Sequence, residues 1–228
     1  MRSSYATTAH LSGAPEKPAS IVRRAAVADL PELVTIHERA FRHFFLTRMG
    51  GDFLLRYYEL VLTYRRGICL VADNSGLLSG FACGFLDPTA FYTLMRRYSH
   101  RFALPAARAL GRHPSLLPGI ARGIQRMRDA AVHANAQSCD LSSIAVAPEA
   151  GRSGVGVTLA RAFLAQAWSL NASLVRLHTD ANENDAANAF YRKLGFREHR
   201  HFLQHQGRWM NEYVMNRPNS DEECGHSV

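Results

Sequence analysis

Between Cys139 and Trp168 a short apolar strand runs into a glycine-bearing turn, Gly151-Arg152-Ser153-Gly154-Val155-Gly156, and the turn opens a helix. Val155, Leu159, Phe163 and Ala167 recur at helical spacing and mark one buried face. A second strand, Leu174 to Thr179, and a second helix ending at Gly195 follow. Backbone N–H groups at a helix N-terminus lack intrahelical partners and carry partial positive charge, and glycine lets a ligand approach the backbone closely. The stretch therefore reads as a phosphate-binding device within an α/β arrangement.

The strand ahead of the turn is irregular. Leu141, Ile144 and Val146 should share one face, yet the step from Leu141 to Ile144 is odd, whereas a strand alternates every two residues. One extra residue near Ser142-Ser143, a β-bulge, reconciles them. An ordinary strand with two tolerated serines is the plainer alternative.

Two spacings in this region resemble signatures of the GNAT superfamily of acyl-CoA N-acetyltransferases. Where the family has Gln/Arg-x-x-Gly-x-Gly/Ala, this chain has Gly151-x-x-Gly154-x-Gly156, with Gly151 departing from the pattern and Arg152 beside it. The family's Asn-x-x-Ala-x-x-x-Tyr-x-x-x-Gly-Phe is met in register by Asn184, Ala187, Tyr191, Gly195 and Phe196. The resemblance implies an α/β (α+β) GNAT fold, a mixed, mostly antiparallel sheet flanked by helices. It implies acetyl-CoA as co-substrate, with direct transfer of its acetyl group to an amine in a ternary complex. Gly151, Arg152, Ser153, Gly154, Val155 and Gly156 would then hold the pyrophosphate. The pantetheine arm would enter a gap beside the bulge and pair with the backbone of Ile144, Ala145 and Val146, where a backbone N–H faces the thioester oxygen. Asn184 would cap the last helix or bond the pantetheine arm.

Such a transfer needs a grip on the cofactor, a base for the amine, an oxyanion site and an acid for the departing thiolate. The resemblance assigns the acid to Tyr191. Ala187, Phe190, Tyr191 and Leu194 also form an apolar helical stripe, so packing alone is the competing role. Some family members place a glutamate five residues before the asparagine; here that position is Thr179, which cannot serve. Asp140 is the candidate base. Alternation turns His178 and Asp180 to the opposite face from Thr179, and a relay through backbone or serine is another route.

The chain has 228 residues, 47% of them hydrophobic, enough for one domain with a sizeable core. Its net charge of +8 favours anionic partners. Cys69, Cys83, Cys139 and Cys224 show no metal-ligand spacing and no metal is expected. Three of these thiols lie in apolar runs, which fits a reducing, cytoplasmic setting. No apolar run is long enough to span a bilayer, and no apolar segment follows Arg2 as in a secretory signal.

Residues 1–19, rich in Ser, Thr, Ala and Pro, read as a disordered tail, and 20–217 as the GNAT domain. Ile21 to Ala26 reads as a strand, Asp29 as the cap of a helix with Pro31 early in it, and Asp52 to Tyr64 as a second helix. Gly67 to Ala72 and Leu77 to Leu86 form a hairpin around Asp73-Asn74-Ser75-Gly76. Phe196 to Leu203 and Arg208 to Met215 form another, turning at Gln206-Gly207, and the acidic tail 218–228 reads as disordered.

Residues 88–135 are an insertion before the fourth strand. It is helix-forming, broken by Pro105, Pro114 and Pro118, and carries Arg96, Arg97, Arg101, Arg108, Arg112, Arg122, Arg126 and Arg128 against Asp129. Two or three short amphipathic helices are expected. They form a solvated basic cover for the sheet, recognise an anionic acceptor, or lie on an anionic membrane surface. No nucleic-acid module is present in the sequence. For the acceptor, an amino sugar or nucleotide-linked sugar is favoured by the basic insertion; a small amine or a protein N-terminus is the alternative. A silent acyl-CoA-binding module is the reading from another class.

Overall fold

The computed structural model describes residues 20–42, 44–121, 136–204 and 207–218. The expected N-terminal tail, the insertion from Arg122 to Asn135 and the C-terminal tail beyond Pro218 lie outside the described residues.

Seven strands make one sheet in the order β1-β2-β3-β4-β5-β7-β6. They are β1 (Ile21–Arg24), β2 (Gly67–Asn74), β3 (Leu77–Leu86), β4 (Ser138–Val146), β5 (Leu174–Asp180), β6 (Arg197–Gln204) and β7 (Arg208–Asn216). All neighbours run antiparallel except β4 and β5. The β2–β3 hairpin closes on a two-residue loop in which Ser75 and Gly76 have φ of 53° and 91°. Such a loop needs positive φ, and the Asp73 carboxylate steadies it by accepting from the Gly76 N–H at 2.8 Å.

β2 is apolar from Gly67 to Ala72 because both of its faces are covered there. Ile68, Leu70 and Ala72 enter the core beneath α6 (Val155–Ser169) and α7 (Asp185–Lys193). Cys69 and Val71 enter the opposite core, under α1 (Leu30–Ala40), α3 (Gly51–Thr63), α4 (Pro88–Arg97) and α5 (His100–Arg112). Cys69, Cys83 and Cys139 are buried free thiols. Among the described residues no helix is long and apolar enough to cross a membrane.

Three local readings need correction. β1 stops at Arg24, two residues short of Ala26. Asp29 stands at the N-cap position of α1 but forms no side-chain cap there; its carboxylate turns back to the Ala26 N–H at 2.6 Å and pairs with Arg23. The guanidinium competes for the same oxygens and holds the Asp29 carboxyl below its ordinary value. Pro105 does not break a helix, because α5 runs through it. The lost backbone bond is offset by burial of Phe102, Pro105 and Ala109, with Phe102 5.2 Å from Phe53 of α3.

α4 and α5 lie in the described part of the insertion, where two or three short helices were expected. Phe91 of α4 is fully buried and stacked on Phe85 of β3 at 3.8 Å. Arg101 and Arg108 of α5 pair with Glu59 and Asp52 of α3. Arg96 and Arg97 are exposed and make no ion pair among the described residues. A short helix, α2 (Phe45–Arg48), lies against this unit, and its Arg48 donates to the Ser115 hydroxyl at 2.8 Å.

Candidate active site

β4 and β5 pair only at Ser138–Leu174, Cys139–Val175 and Asp140–Arg176. Beyond Asp140 the two parallel strands part, and the facing backbone edges of Leu141–Val146 and Leu177–Asp180 have no partner in each other. The cause is on the other edge of β4. Cys83 pairs with Ser143 but Gly84 with Leu141, so Ser142 is an extra residue and the ladder shifts there. This is the bulge implied by the odd Leu141–Ile144 step. Leu141 lies in the core under α6 and α7, and Ile144 and Val146 pack against that core once the bulge restores their phase.

The turn after β4 is exposed from Gly151 to Gly154. Arg152 and Gly154 have φ of 61° and 82°, and Ser153 donates its hydroxyl to the Ala150 carbonyl at 2.6 Å. The N–H groups of Val155, Gly156 and Val157 make no backbone hydrogen bond among the described residues; the first intrahelical donor is Thr158, to Gly154. A β-carbon on Gly154 would meet nothing within 4 Å, so the space above this helix terminus is open. A β-carbon on Gly156 would meet Val146 at 3.4 Å and Phe190 at 3.6 Å, which fixes the terminus close to the end of β4 and to α7. Gly151 has an ordinary φ of −57° and is not required for its conformational freedom. An exposed, glycine-floored helix N-terminus of this kind accepts a phosphate group readily.

α7 ends in a Schellman motif. Gly195, with φ of 96°, donates its N–H to the Arg192 carbonyl, and Phe196 donates to the Tyr191 carbonyl. The ring contact that accompanies such a motif is Tyr191 to Phe196, at 6.0 Å. The spacing Tyr191…Gly195-Phe196 is thus a helix stop that fixes the tyrosine's backbone. The ring also packs 5.9 Å from Tyr213, and burial pushes the phenol up to about 12, which keeps it protonated.

Asn184 stands at the start of α7 without a side-chain cap. Its amide instead donates to the Thr179 hydroxyl at 2.7 Å and to the Asp180 carbonyl at 3.3 Å, tying α7 to the end of β5. Thr179 therefore faces the α7 side, while Arg176, His178 and Asp180 face away from it, as alternation requires.

On that second face charged side chains cross four strands. Asp140 of β4 accepts from Arg176 of β5 at 2.5 Å. His178 Nε2 lies 3.7 Å from the Glu212 carboxylate of β7, which Arg200 of β6 holds at 2.9 Å. Burial pushes the Asp140 carboxyl above its ordinary value, with Arg176 pulling against it. His178, and with it Arg200, draws the Glu212 carboxyl down to about 2 although burial opposes this. Asp180 holds Arg208, whose guanidinium lies 4.9 Å from the Phe44 ring centroid. Asp140, the sequence's candidate base, therefore sits at the closed end of the gap beside an arginine. The residues of this face that had no site role assigned from sequence are Glu212, Arg200 and Arg208. The signal for this open face was the strict polar alternation of Arg176, His178 and Asp180 against apolar Val175 and Leu177.

The profile of the acetyltransferase (GNAT) family matches residues 119–196. No curated protein matches the sequence. Among solved structures, a GNAT-family protein from Desulfovibrio desulfuricans aligns with a TM-score of 0.59 at 16% identity, over 87% of this chain and 99% of that one. A ribosomal-protein-alanine N-acetyltransferase from Brucella melitensis aligns at 0.58 and 18% identity, over 86% and 99%. A Salmonella typhimurium protein solved with its cofactor acetyl-CoA aligns at 0.56 and 14% identity, over 87% and 94%. At these identities the structures speak for the fold alone, and the profile match is confined to residues 119–196. Both agree with the paired signatures on the turn and on α7: that segment is similar to the GNAT acetyltransferase family, and the chain has the fold of these structures.

Proposed function

We propose that the protein binds acetyl-CoA in the β4–β5 gap and transfers its acetyl group directly to an amine in a ternary complex. The observation that carries this reading is the unpaired strand edge opened by the Ser142 bulge, continuous with the exposed turn at the N-terminus of α6. In the proposed complex the pyrophosphate lies on Gly151, Arg152, Ser153, Gly154, Val155 and Gly156. The pantetheine amides pair with the free backbone of Ile144, Ala145 and Val146, and Asn184 borders the arm from α7.

The acceptor amine approaches from the charged face. Its lone pair forms the new C–N bond to the thioester carbon, and the carbonyl oxygen becomes an oxyanion facing a backbone N–H at the bulge. The C–S bond then breaks. Tyr191 gives its proton to the leaving thiolate, and the amine's proton passes to Asp140. Asp140 suits this role because burial raises its proton affinity and Arg176 limits the rise.

An anionic amine, such as an amino sugar or its nucleotide-linked form, is the favoured acceptor. Exposed Arg96 and Arg97 support this choice. The experiment is release of CoA thiol from acetyl-CoA against a panel of nucleotide-linked amino sugars, small amines and a peptide with an N-terminal alanine. Turnover led by the anionic amines is the expected result. Turnover confined to the peptide transfers the assignment to a protein N-terminus. Binding of acetyl-CoA without turnover of any amine would leave the protein an acyl-CoA-binding module and overturn the catalytic reading.

A further inference from the structure

The bulge is held from behind by two consecutive tyrosines of α3. Tyr57 and Ser142 share a hydroxyl–hydroxyl hydrogen bond of 2.5 Å, although Ser142 is itself exposed. The Tyr58 hydroxyl bonds His37 Nδ1 at 2.6 Å and lies close to Ser143. Both tyrosines are buried, at 5% and 0% exposure. Burial pushes both phenols well up, so they remain neutral hydroxyls. Burial also draws His37 down to about 4, so it is a neutral imidazole that shares one hydrogen bond with Tyr58.

Neither the apolar core nor the strand ladder requires this arrangement. Phenylalanine would fill the same volume in a core that already contains Phe53, Phe81, Phe85 and Phe91. Tyr57 and Tyr58 sit one residue apart on a helix, about 100° around its axis, and therefore reach different points. Those points are the two residues at which the β3–β4 register shifts, Ser142 and Ser143. A bulge leaves its extra residue without a ladder bond, so its peptide planes are free to turn unless something else fixes them. An oxyanion donor, however, must hold its direction to be effective.

We propose that Tyr57 and Tyr58 are positioning residues, whose hydroxyls hold the bulge serines so that the backbone N–H at the bulge stays directed at the thioester oxygen. This rests on the acetyl-CoA reading above. The tyrosines do not touch the reacting atoms; they act through β4. Tyr57 carries the larger share, because its partner Ser142 is the extra residue itself.

The test needs no acceptor. Acetyl-CoA labelled with ¹³C at the thioester carbonyl is bound to the full chain, and the carbonyl stretch is read by isotope-edited infrared difference spectroscopy. In the parent the bound carbonyl should absorb at lower frequency than in solution, because a directed N–H polarises it. In Tyr57→Phe at least half of that downshift should be lost, while calorimetric affinity for acetyl-CoA stays within about threefold, since the pyrophosphate and pantetheine contacts are untouched. Ser142→Ala should repeat the loss, and Ser142→Thr, which keeps a hydroxyl, should restore the downshift. Ser142 is exposed, so these two variants are sound if Tyr57→Phe or Tyr58→Phe folds poorly. A full downshift in folded Tyr57→Phe and Ser142→Ala would overturn the proposal and leave the tyrosines as packing. A parent that binds acetyl-CoA without any downshift, or does not bind it, would overturn the acetyl-CoA reading first and this proposal with it; that failure is recognised because it occurs in the parent.

Discussion

At the scale of single residues the assignment most open to experiment is Tyr191. Its ring is fixed by Phe196 and Tyr213, and burial keeps its hydroxyl protonated. Tyr191→Phe preserves the ring and removes the proton. Single-turnover kinetics should show the chemical step slowed by about 10²-fold, with acetyl-CoA affinity nearly unchanged. A step as fast as the parent's would reduce Tyr191 to a packing residue. Some residual rate is expected because a thiolate leaves tolerably without a proton. The tyrosine was legible through the family resemblance, whose pattern has Gly195 and Phe196 following it; in the structure that spacing is a helix stop. Glu212 was not legible. Its partner His178 lies far away in sequence, and only the β5–β7 register brings them opposite each other. The cap expected of Asn184 also depended on tertiary context, since its amide finds Thr179 instead.

Among the elements, β4 and the basic insertion are the ones the proposed function rests on. The bulge was visible as a break in alternation, because a one-residue slip would otherwise turn Ile144 and Val146 off the core face. The extent of the gap was not visible, since it depends on where β5 ceases to pair. In the insertion the helices were legible from composition, but the fate of each arginine was not. Arg101 and Arg108 are engaged by α3, whereas Arg96 and Arg97 remain exposed. The acceptor prediction therefore concerns the latter pair alone. Replacing Arg96 and Arg97 with serine should raise KM for an anionic acceptor severalfold and leave acetyl-CoA affinity unchanged. If neither value moves, this part of the insertion is a solvated face. If both change together, the helix serves the cofactor. Melting temperature should stay close to the parent's, because exposed charges without ion pairs contribute little to stability.

Across the whole molecule, one sheet separates two cores, and the proposed site lies where a strand pair at its centre comes apart. The hairpin of β2 and β3 was legible from sequence and the flanking helices from the resemblance; the strand order, with β7 between β5 and β6, came only from the structure. The larger helical core also encloses His37, whose Nε2 has no hydrogen-bond partner among the described residues. Burial lowers this imidazole from 6.5 to about 4. Between those values the unfolded chain binds the proton more readily than the folded one, so His37 lowers stability as pH falls through that window, by up to about 3 kcal/mol. Denaturant midpoints measured from pH 7 to 4.5 should fall more steeply for the parent than for His37→Gln; parallel curves would show that His37 titrates alike in both states. The central claim, that the turn after β4 and the gap beside it are an acetyl-CoA site, is tested most directly by calorimetric titration of acetyl-CoA into the parent and into folded Gly154→Glu. A side chain at this position strains a backbone held at φ of 82° and sets a carboxylate against the pyrophosphate. The account predicts one equivalent bound by the parent and no detectable heat of binding for the variant. Equal affinity in the two proteins, or no binding by the parent, would contradict it.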